Sequence, residues 1–308
     1  MNVFLFACTV LIWGTTWIAI AAEIGPVPVL VSVFYRFALA AAFLFVVLLV
    51  SRRLTIPALR HHPYIAVQAL CLFCLNFICF YAATGFIPSG LVSVVFSLVT
   101  VFNAVNARLI FGTPVTVRTM LAAALGVVGL GLLFGRNVVV GLDAGTLKGL
   151  GLAALGTLLF SLGNMASRRN STAGLLPSLT NAWGMAYGAL ALLVLIGFTH
   201  TPFVMPQSET YVLALLYLAI FGSVVGFTTY LMLVARIGPS RAAYATVLFP
   251  IVALAISTLF EDYRWDATGV LGLAIAVGGN ILIFSDRTDR PNTARTPSGA
   301  PRERLPLS

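Results

Sequence analysis

From Val3 to Ala22 the chain carries no charged side chain, and apolar runs of that kind recur ten times with little between them. A hydrocarbon core about 30 Å thick needs roughly 20 apolar residues per helical crossing. Unpaired peptide groups are so costly there that only helices and closed barrels can cross. A barrel would show segments of about ten residues alternating in polarity, and these runs do not alternate. The sequence therefore predicts an all-α integral membrane protein of ten transmembrane helices. The spans fall near 3–22, 28–50, 63–84, 90–110, 119–135, 149–167, 173–198, 211–235, 241–260 and 267–285. Composition agrees, with 60% apolar and 9% charged residues, where soluble domains have about 45–50% and about 25%. The first run is read as a span rather than a cleaved leader, because no Lys or Arg precedes it.

The net charge of +9 reports orientation. Arg52, Arg53, Arg60, Arg108, Arg118, Arg168, Arg169, Arg236, Arg241 and the tail arginines fall on one side of the predicted membrane. Only Arg136, Lys148 and Arg264 fall on the other, so the positive-inside rule predicts both termini in the cytoplasm. Residues 286–308, rich in Pro, Ser, Thr and Arg, cannot bury a core and are predicted to be a disordered cytoplasmic tail. No nucleic-acid partner is expected. Cys71 and Cys74 form a CxxC, but in an apolar helix without His or acidic neighbours they read as small packing residues. No disulfide framework is expected.

The chain resembles itself at a separation near 150 residues. Ile87, Pro88 and Ser89 open the fourth span as Gly238, Pro239 and Ser240 open the ninth, and GVVGLGLLF at 126–134 resembles AVGGNILIF at 276–284. Each half then holds five spans, 1–145 and 146–285. An odd number per half turns the second copy upside down, the inverted-repeat architecture of many secondary transporters. Such carriers bind substrate near the bilayer midplane, between the repeats. An old duplication in a membrane protein of another function is the alternative.

WGTTW in the first span, the Arg36–Phe37 pair in the second, the two proline–serine helix starts, Pro250 in the ninth span and the glycine-rich fifth and tenth spans together resemble the drug/metabolite transporter superfamily. The likeness is to its EamA-type ten-helix members, and among them it is most similar to bacterial exporters of aromatic and other amino acids. It implies a carrier of small metabolites in the bacterial inner membrane, with no cofactor. Pro250 has no proline counterpart in the fourth span, where Val99 and Thr100 stand in the matching place, so that half is expected to flex less.

Trp13 and Trp17 share a helix face at mid-membrane depth, whereas tryptophans that only anchor a helix prefer the interface. They are candidates to line a cavity, with tight interhelical packing as the alternative. Gly14, Thr15 and Thr16 would allow close backbone approach and supply hydroxyls. Candidate substrate-binding residues are Trp13, Thr16, Trp17, Asn76, Tyr81, Ser97, Thr100, Asn164, Tyr230 and Tyr244. Ser93, Ser97 and Thr100 form an i, i+4, i+7 stripe, and Asn103, Ser161, Ser223, Thr228, Thr229 and Thr246 lie at similar depth. Gly126, Gly129, Gly131 and Gly135, with Gly269, Gly272, Gly278 and Gly279, read as packing surfaces. Arg36, the one ionisable residue well inside a span, either anchors to backbone carbonyls or borders the substrate path. Pro88, Ser89, Pro239, Ser240 and Pro250 are candidate gating or structural positions.

All nine acidic residues fall in loops, the tail or helix ends, so no membrane-embedded carboxylate is expected. That lowers multidrug cation export, which needs a buried counter-charge. A lone buried arginine is too little for nucleotide sugars or sugar phosphates. Small neutral or zwitterionic solutes suit the spans best, amino acids first, including aromatic ones. They would be exported or exchanged by alternating access. A drug, nucleoside or sugar-derivative carrier of the same fold is the alternative. His61, His62 and His200 are expected in loops, and no HExxH or GxSxG is present, so no enzyme and no metal site is expected. The remaining alternative is a passive structural protein. The expected partners are the lipid bilayer and a small-molecule substrate, with the monomer functional.

Overall fold

In the computed structural model, residues 2–25, 27–133, 143–230 and 244–284 are described, and the described part is helical without strands. The ten helices are α1 (Asn2–Ala22), α2 (Val29–Val50), α3 (Leu59–Thr84), α4 (Ser89–Phe111), α5 (Val117–Leu133), α6 (Ala144–Thr172), α7 (Pro177–Phe198), α8 (Glu209–Tyr230), α9 (Tyr244–Phe260) and α10 (Ala267–Phe284). Seven of them are long and apolar enough to cross a membrane, and α5, α9 and α10 supply shorter apolar stretches. Their outer surfaces expose Phe43, Val46, Leu49, Leu109, Leu190 and Val194, as a lipid-facing shell must.

Helix ends follow local chemistry. Residue Asp143 caps α6, accepting from the Thr146 N–H, and the helix starts five residues before the apolar run from which it was predicted. Pro177 opens α7, where a missing N–H costs nothing. His61 and His62 are not in a loop as expected: they form the first turn of α3, where His61 is buried and the His62 ring meets Trp183 and Tyr187.

Three helices are irregular. Helix α3 breaks at Cys74, with φ −132° and ψ −85°, and α4 is interrupted at Leu98. The interruption falls just before Val99 and Thr100, so the absence of a proline there does not leave α4 continuous. It also divides the expected stripe, since Ser93, Ser97 and Thr100 each turn their hydroxyl onto a carbonyl three residues back. In α8, residues Tyr217–Val225 are wound as π-helix, and the Ser223 hydroxyl donates to the Leu218 carbonyl at 2.9 Å, one residue beyond α-helical reach.

Packing follows the exchange of helices 1–5 for 6–10. α1 packs on α9 as α6 packs on α4, α3 on α6 as α8 on α1, and α3 on α7 as α8 on α2. α2 with α7, α4 with α9 and α5 with α10 are their own images. The two five-helix halves are thus interleaved. Between α5 and α10 the backbones touch: a Cβ on Gly129 would lie 2.6 Å from the Gly272 carbonyl oxygen, and one on Gly272 would lie 2.6 Å from that of Gly129. Gly279 meets the Ala122 carbonyl in the same way, Gly126 faces Leu98, and Gly131 and Gly278 face open space.

Candidate substrate cavity

Where α1, α3, α4, α6, α8 and α9 converge, with Arg36 of α2 and Pro177 and Asn181 of α7 at the margin, the bundle holds a cavity of about 310 Å³. WGTTW explains itself there. Gly14 lets α1 press onto α9, where a Cβ would come within 2.7 Å of Val252. Trp13 and Trp17, on either side, turn their rings into the cavity. Trp13 packs on Phe227 and Tyr230 at centroid distances of 5.5 and 5.1 Å. Trp17 meets Phe80 and Phe96 at 5.4 and 5.6 Å. Thr15 points the other way, to the Tyr217 hydroxyl, and Thr16 folds back onto the Trp13 carbonyl.

Phe77, Phe80, Phe96, Phe160, Phe227 and Phe249 complete an aromatic wall. Thr100, Asn103, Asn164, Ser167 and Asn181 supply hydroxyls and amides, and the lining reaches Pro177 beside the α6–α7 turn. The amide of Asn164 donates to the Asn103 side-chain oxygen at 3.3 Å. Gln68 ties Asn181 to Asn170 through bonds of 3.1 and 2.9 Å, joining α3, α7 and α6 behind the lining.

Among the described residues, Arg36 is the only charged side chain in the lining. It does not anchor on backbone carbonyls. Nε donates to the Ser223 hydroxyl at 3.3 Å and Nη1 to the Tyr81 hydroxyl at 3.5 Å, and the guanidinium lies 4.4 Å from the Phe77 ring centroid. The π-turn of α8 brings Ser223 to it, and Gly222 lets α8 approach: a Cβ there would meet Thr16 at 2.9 Å and Arg36 at 3.6 Å.

Of the expected binding residues, Trp13, Thr16, Trp17, Thr100, Asn164 and Tyr230 line the cavity. Asn76, Tyr81 and Ser97 do not. Asn76 is fully buried with its amide unbonded, Tyr81 sits behind Arg36, and the Ser97 hydroxyl is spent on Val94. The side chains of Tyr244 and Thr246 lie outside the described residues, as do Pro239 and Ser240. Pro250 stands within α9, beside the cavity-lining Phe249. The phenylalanine wall was not singled out in the sequence, because helices apolar on every side give no sign of which face turns inward.

The start of α4 and the end of α9 are joined by a clasp. Glu261, at the end of α9, takes the Ser89 N–H on both oxygens at 3.1 Å, and its Oε2 accepts from the Ser89 and Ser257 hydroxyls at 2.7 and 2.6 Å. Gly90 lies so close to α9 that a Cβ would stand 2.8 Å from Ser257. Pro88 sets the N-cap of α4 at this point.

The expectation that no carboxylate is withdrawn into the protein fails at Glu23. It follows the last residue of α1, yet is only 1% exposed. Burial pushes its carboxyl up to about 7, against the opposing pull of the Arg36 charge and the Tyr81 hydroxyl. The reason is tertiary: Val27, Val31, Tyr211 and Leu215 cluster at this end of the bundle, and a helix end in sequence is not a helix end in water.

The profile of the EamA-like transporter family matches residues 1–135 and 147–285. The uncharacterized inner membrane transporter YedA of Escherichia coli (strain K12) is 26% identical over 274 residues, 87% of each chain. The uncharacterized transporter YoaV of Bacillus subtilis (strain 168) is 27% identical over 284 residues, 90% of this chain and 95% of the relative. Protein PagO of Salmonella typhimurium is 22% identical over 283 residues, 91% of this chain and 88% of the relative. A solved crystal structure at 18% identity has the same fold, with a TM-score of 0.66 over 91% of this chain and 95% of the other.

Proposed function

The chain belongs to the EamA-like transporter family of the drug/metabolite transporter superfamily, and from that we propose that it exports or exchanges small zwitterionic or neutral metabolites, amino acids including aromatic ones first among them. The observation that carries this reading is the pairing, in one cavity, of an aromatic wall with a single cation. Indole and phenyl faces suit an apolar or aromatic side chain, with each well-placed ring pair contributing about 0.5–1.5 kcal/mol beyond area burial. The guanidinium suits one carboxylate, held bidentately. Amide and hydroxyl groups of Thr100, Asn103, Asn164 and Asn181 can take the amine. A cavity of about 310 Å³ is at the small end of ligand sites, which span about 300–1,000 Å³.

Alternating access follows from the interleaved repeats. The cavity runs toward the arginine-rich face at the α6–α7 turn and is shut by the Ser89–Glu261 clasp at the opposite end. Under the positive-inside rule the first face is cytoplasmic. The clasp is then the closed outer gate, with Ser89 at its centre.

Counterflow in proteoliposomes loaded with a panel of labelled amino acids, nucleosides, sugars and quaternary amines tests the proposal. Saturable flux of phenylalanine and tryptophan is expected, reduced about tenfold by Trp17→Ala, as loss of one or two ring contacts would give. Saturable amine flux with no amino-acid flux would replace this reading with that of a drug carrier.

A further inference from the structure

Among the described residues, Glu23 alone presents a carboxylate that is buried with both oxygens unbonded. Its backbone is held by the Ile20 carbonyl, and neither side-chain oxygen has a donor at hydrogen-bonding geometry, although the Tyr81 hydroxyl lies near enough to oppose the effect of burial. The charged and titratable groups around it come from three helices. They are Arg36 of α2, Tyr81 of α3, and Tyr211 of α8 with Tyr35 beyond it. Tyr211 is committed elsewhere, donating to the Ser32 hydroxyl at 2.7 Å. An ionised carboxylate in this setting lacks the donors that normally replace water, so the neutral acid is the form that fits. Glu23 is nonetheless poised to titrate near neutrality.

Arg36 links this group to the cavity, because the guanidinium in the lining is also the charge that acts on the Glu23 carboxyl. With Glu23 neutral, the guanidinium charge is left to the cavity. With Glu23 ionised, that charge is partly compensated from behind. A substrate carboxylate and the Glu23 carboxylate therefore compete for one cation. A proton on Glu23 strengthens substrate binding, and by linkage the substrate strengthens the proton's binding by the same factor.

We propose that Glu23 is a proton-binding site of the carrier, protonated while a substrate carboxylate sits at Arg36 and deprotonated when it leaves, so that occupation of the cavity is linked to protonation. The proton comes from water and returns to it, and no other bond changes. The proposal rests on the reading above that the substrate carries a carboxylate.

Infrared titration of the full-length protein in lipid nanodiscs tests the proton site directly. The carbonyl stretch of a protonated carboxyl should disappear as pH is raised through neutrality, and this band should be absent in Glu23→Gln. A second arm measures binding of L-phenylalanine and of L-phenylalaninamide by tryptophan quenching. Wild-type affinity for phenylalanine should fall about tenfold from the acidic to the alkaline side of the titration, within the usual range of coupling between sites. In Glu23→Gln it should change less than about twofold and stay at the acidic value. The amide should show no such fall. Glu23→Asp, which keeps the acid, should keep the pH dependence with a displaced midpoint. No titrating band, or the same band in Glu23→Gln, overturns the proposal. So does unchanged pH dependence of phenylalanine binding in that variant. A titrating Glu23 with no amino-acid binding would instead remove the substrate reading and leave the proton site standing.

Discussion

Replacing Glu261 by Gln tests whether the clasp holds one face of the bundle shut. The substitution preserves shape and removes only the charge. In the closed structure one carboxylate collects the Ser89 N–H and the hydroxyls of Ser89 and Ser257, at 3.1, 2.7 and 2.6 Å. Hydrogen bonds to a charged acceptor contribute about 1.5–3 kcal/mol each and neutral ones about 0.5–1.5 kcal/mol. Exchanging the two hydroxyl bonds to Oε2 from the first kind to the second costs the closed state about 2 kcal/mol in all. At 1.4 kcal/mol per factor of ten, that raises the ratio of open to closed molecules about 30-fold. The assay is electron–electron distance measurement between spin labels at the exposed positions Phe86 and Phe260, in a chain whose native cysteines have been replaced. A longer-distance population should grow in Glu261→Gln and grow further in Glu261→Ala. Distance distributions that stay at the wild-type value in both variants would refute the clasp as a gate.

The glycine seam separates two otherwise similar changes. Gly129→Ala pushes a methyl to 2.6 Å from the Gly272 carbonyl and should destabilise by about 1–3 kcal/mol. Gly131→Ala, with nothing within 4 Å, should stabilise by up to about 1 kcal/mol, both read from melting in detergent. Gln68→Leu strips Asn170 and Asn181 of their shared partner and should cost about 1–3 kcal/mol, again visible as a lowered melting temperature. Glu23 gives a pH dependence of known sign. Its carboxyl stands at about 7 when folded, against 4.5 otherwise, so between those values the folded chain keeps a proton that the unfolded chain has lost. Stability should therefore fall as pH rises through that window, by up to about 3 kcal/mol, and Glu23→Gln should flatten the slope of melting temperature against pH.

What the sequence made legible was set by which forces act locally. Each crossing could be read because a lipid-spanning run needs no partner to declare itself, and the ends of α1 and α2 fall within a residue or so of their apolar runs. The end of α6 was displaced because Asp143 caps a polar first turn that hydropathy ignores. The breaks at Cys74 and Leu98 carry no proline or glycine, so nothing local announces them. Facing was legible where a residue type is unusual at depth, as with Trp13, Trp17 and Arg36, and illegible for Phe96, Phe160 and Phe249, whose chemistry suits lipid and cavity alike. Glu23 shows the opposite failure: a position at a helix end was equated with exposure, although residues distant in sequence close over it.

The irregularities of α3, α4 and α8 bear on how the carrier rests. Were the repeats perfect copies, trading their shapes would yield the two-fold-related conformer at no change in energy, and an empty protein would divide its time evenly between facing in and facing out. They are not copies where it counts. α3 yields at Cys74 whereas its counterpart α8 is underwound by a π-turn, and α4 yields at Leu98 whereas α9 carries Pro250 within its length. Each repeat can therefore take up the other's shape only at unequal strain. On the alternating-access reading, the unloaded seesaw leans to one side before any solute arrives.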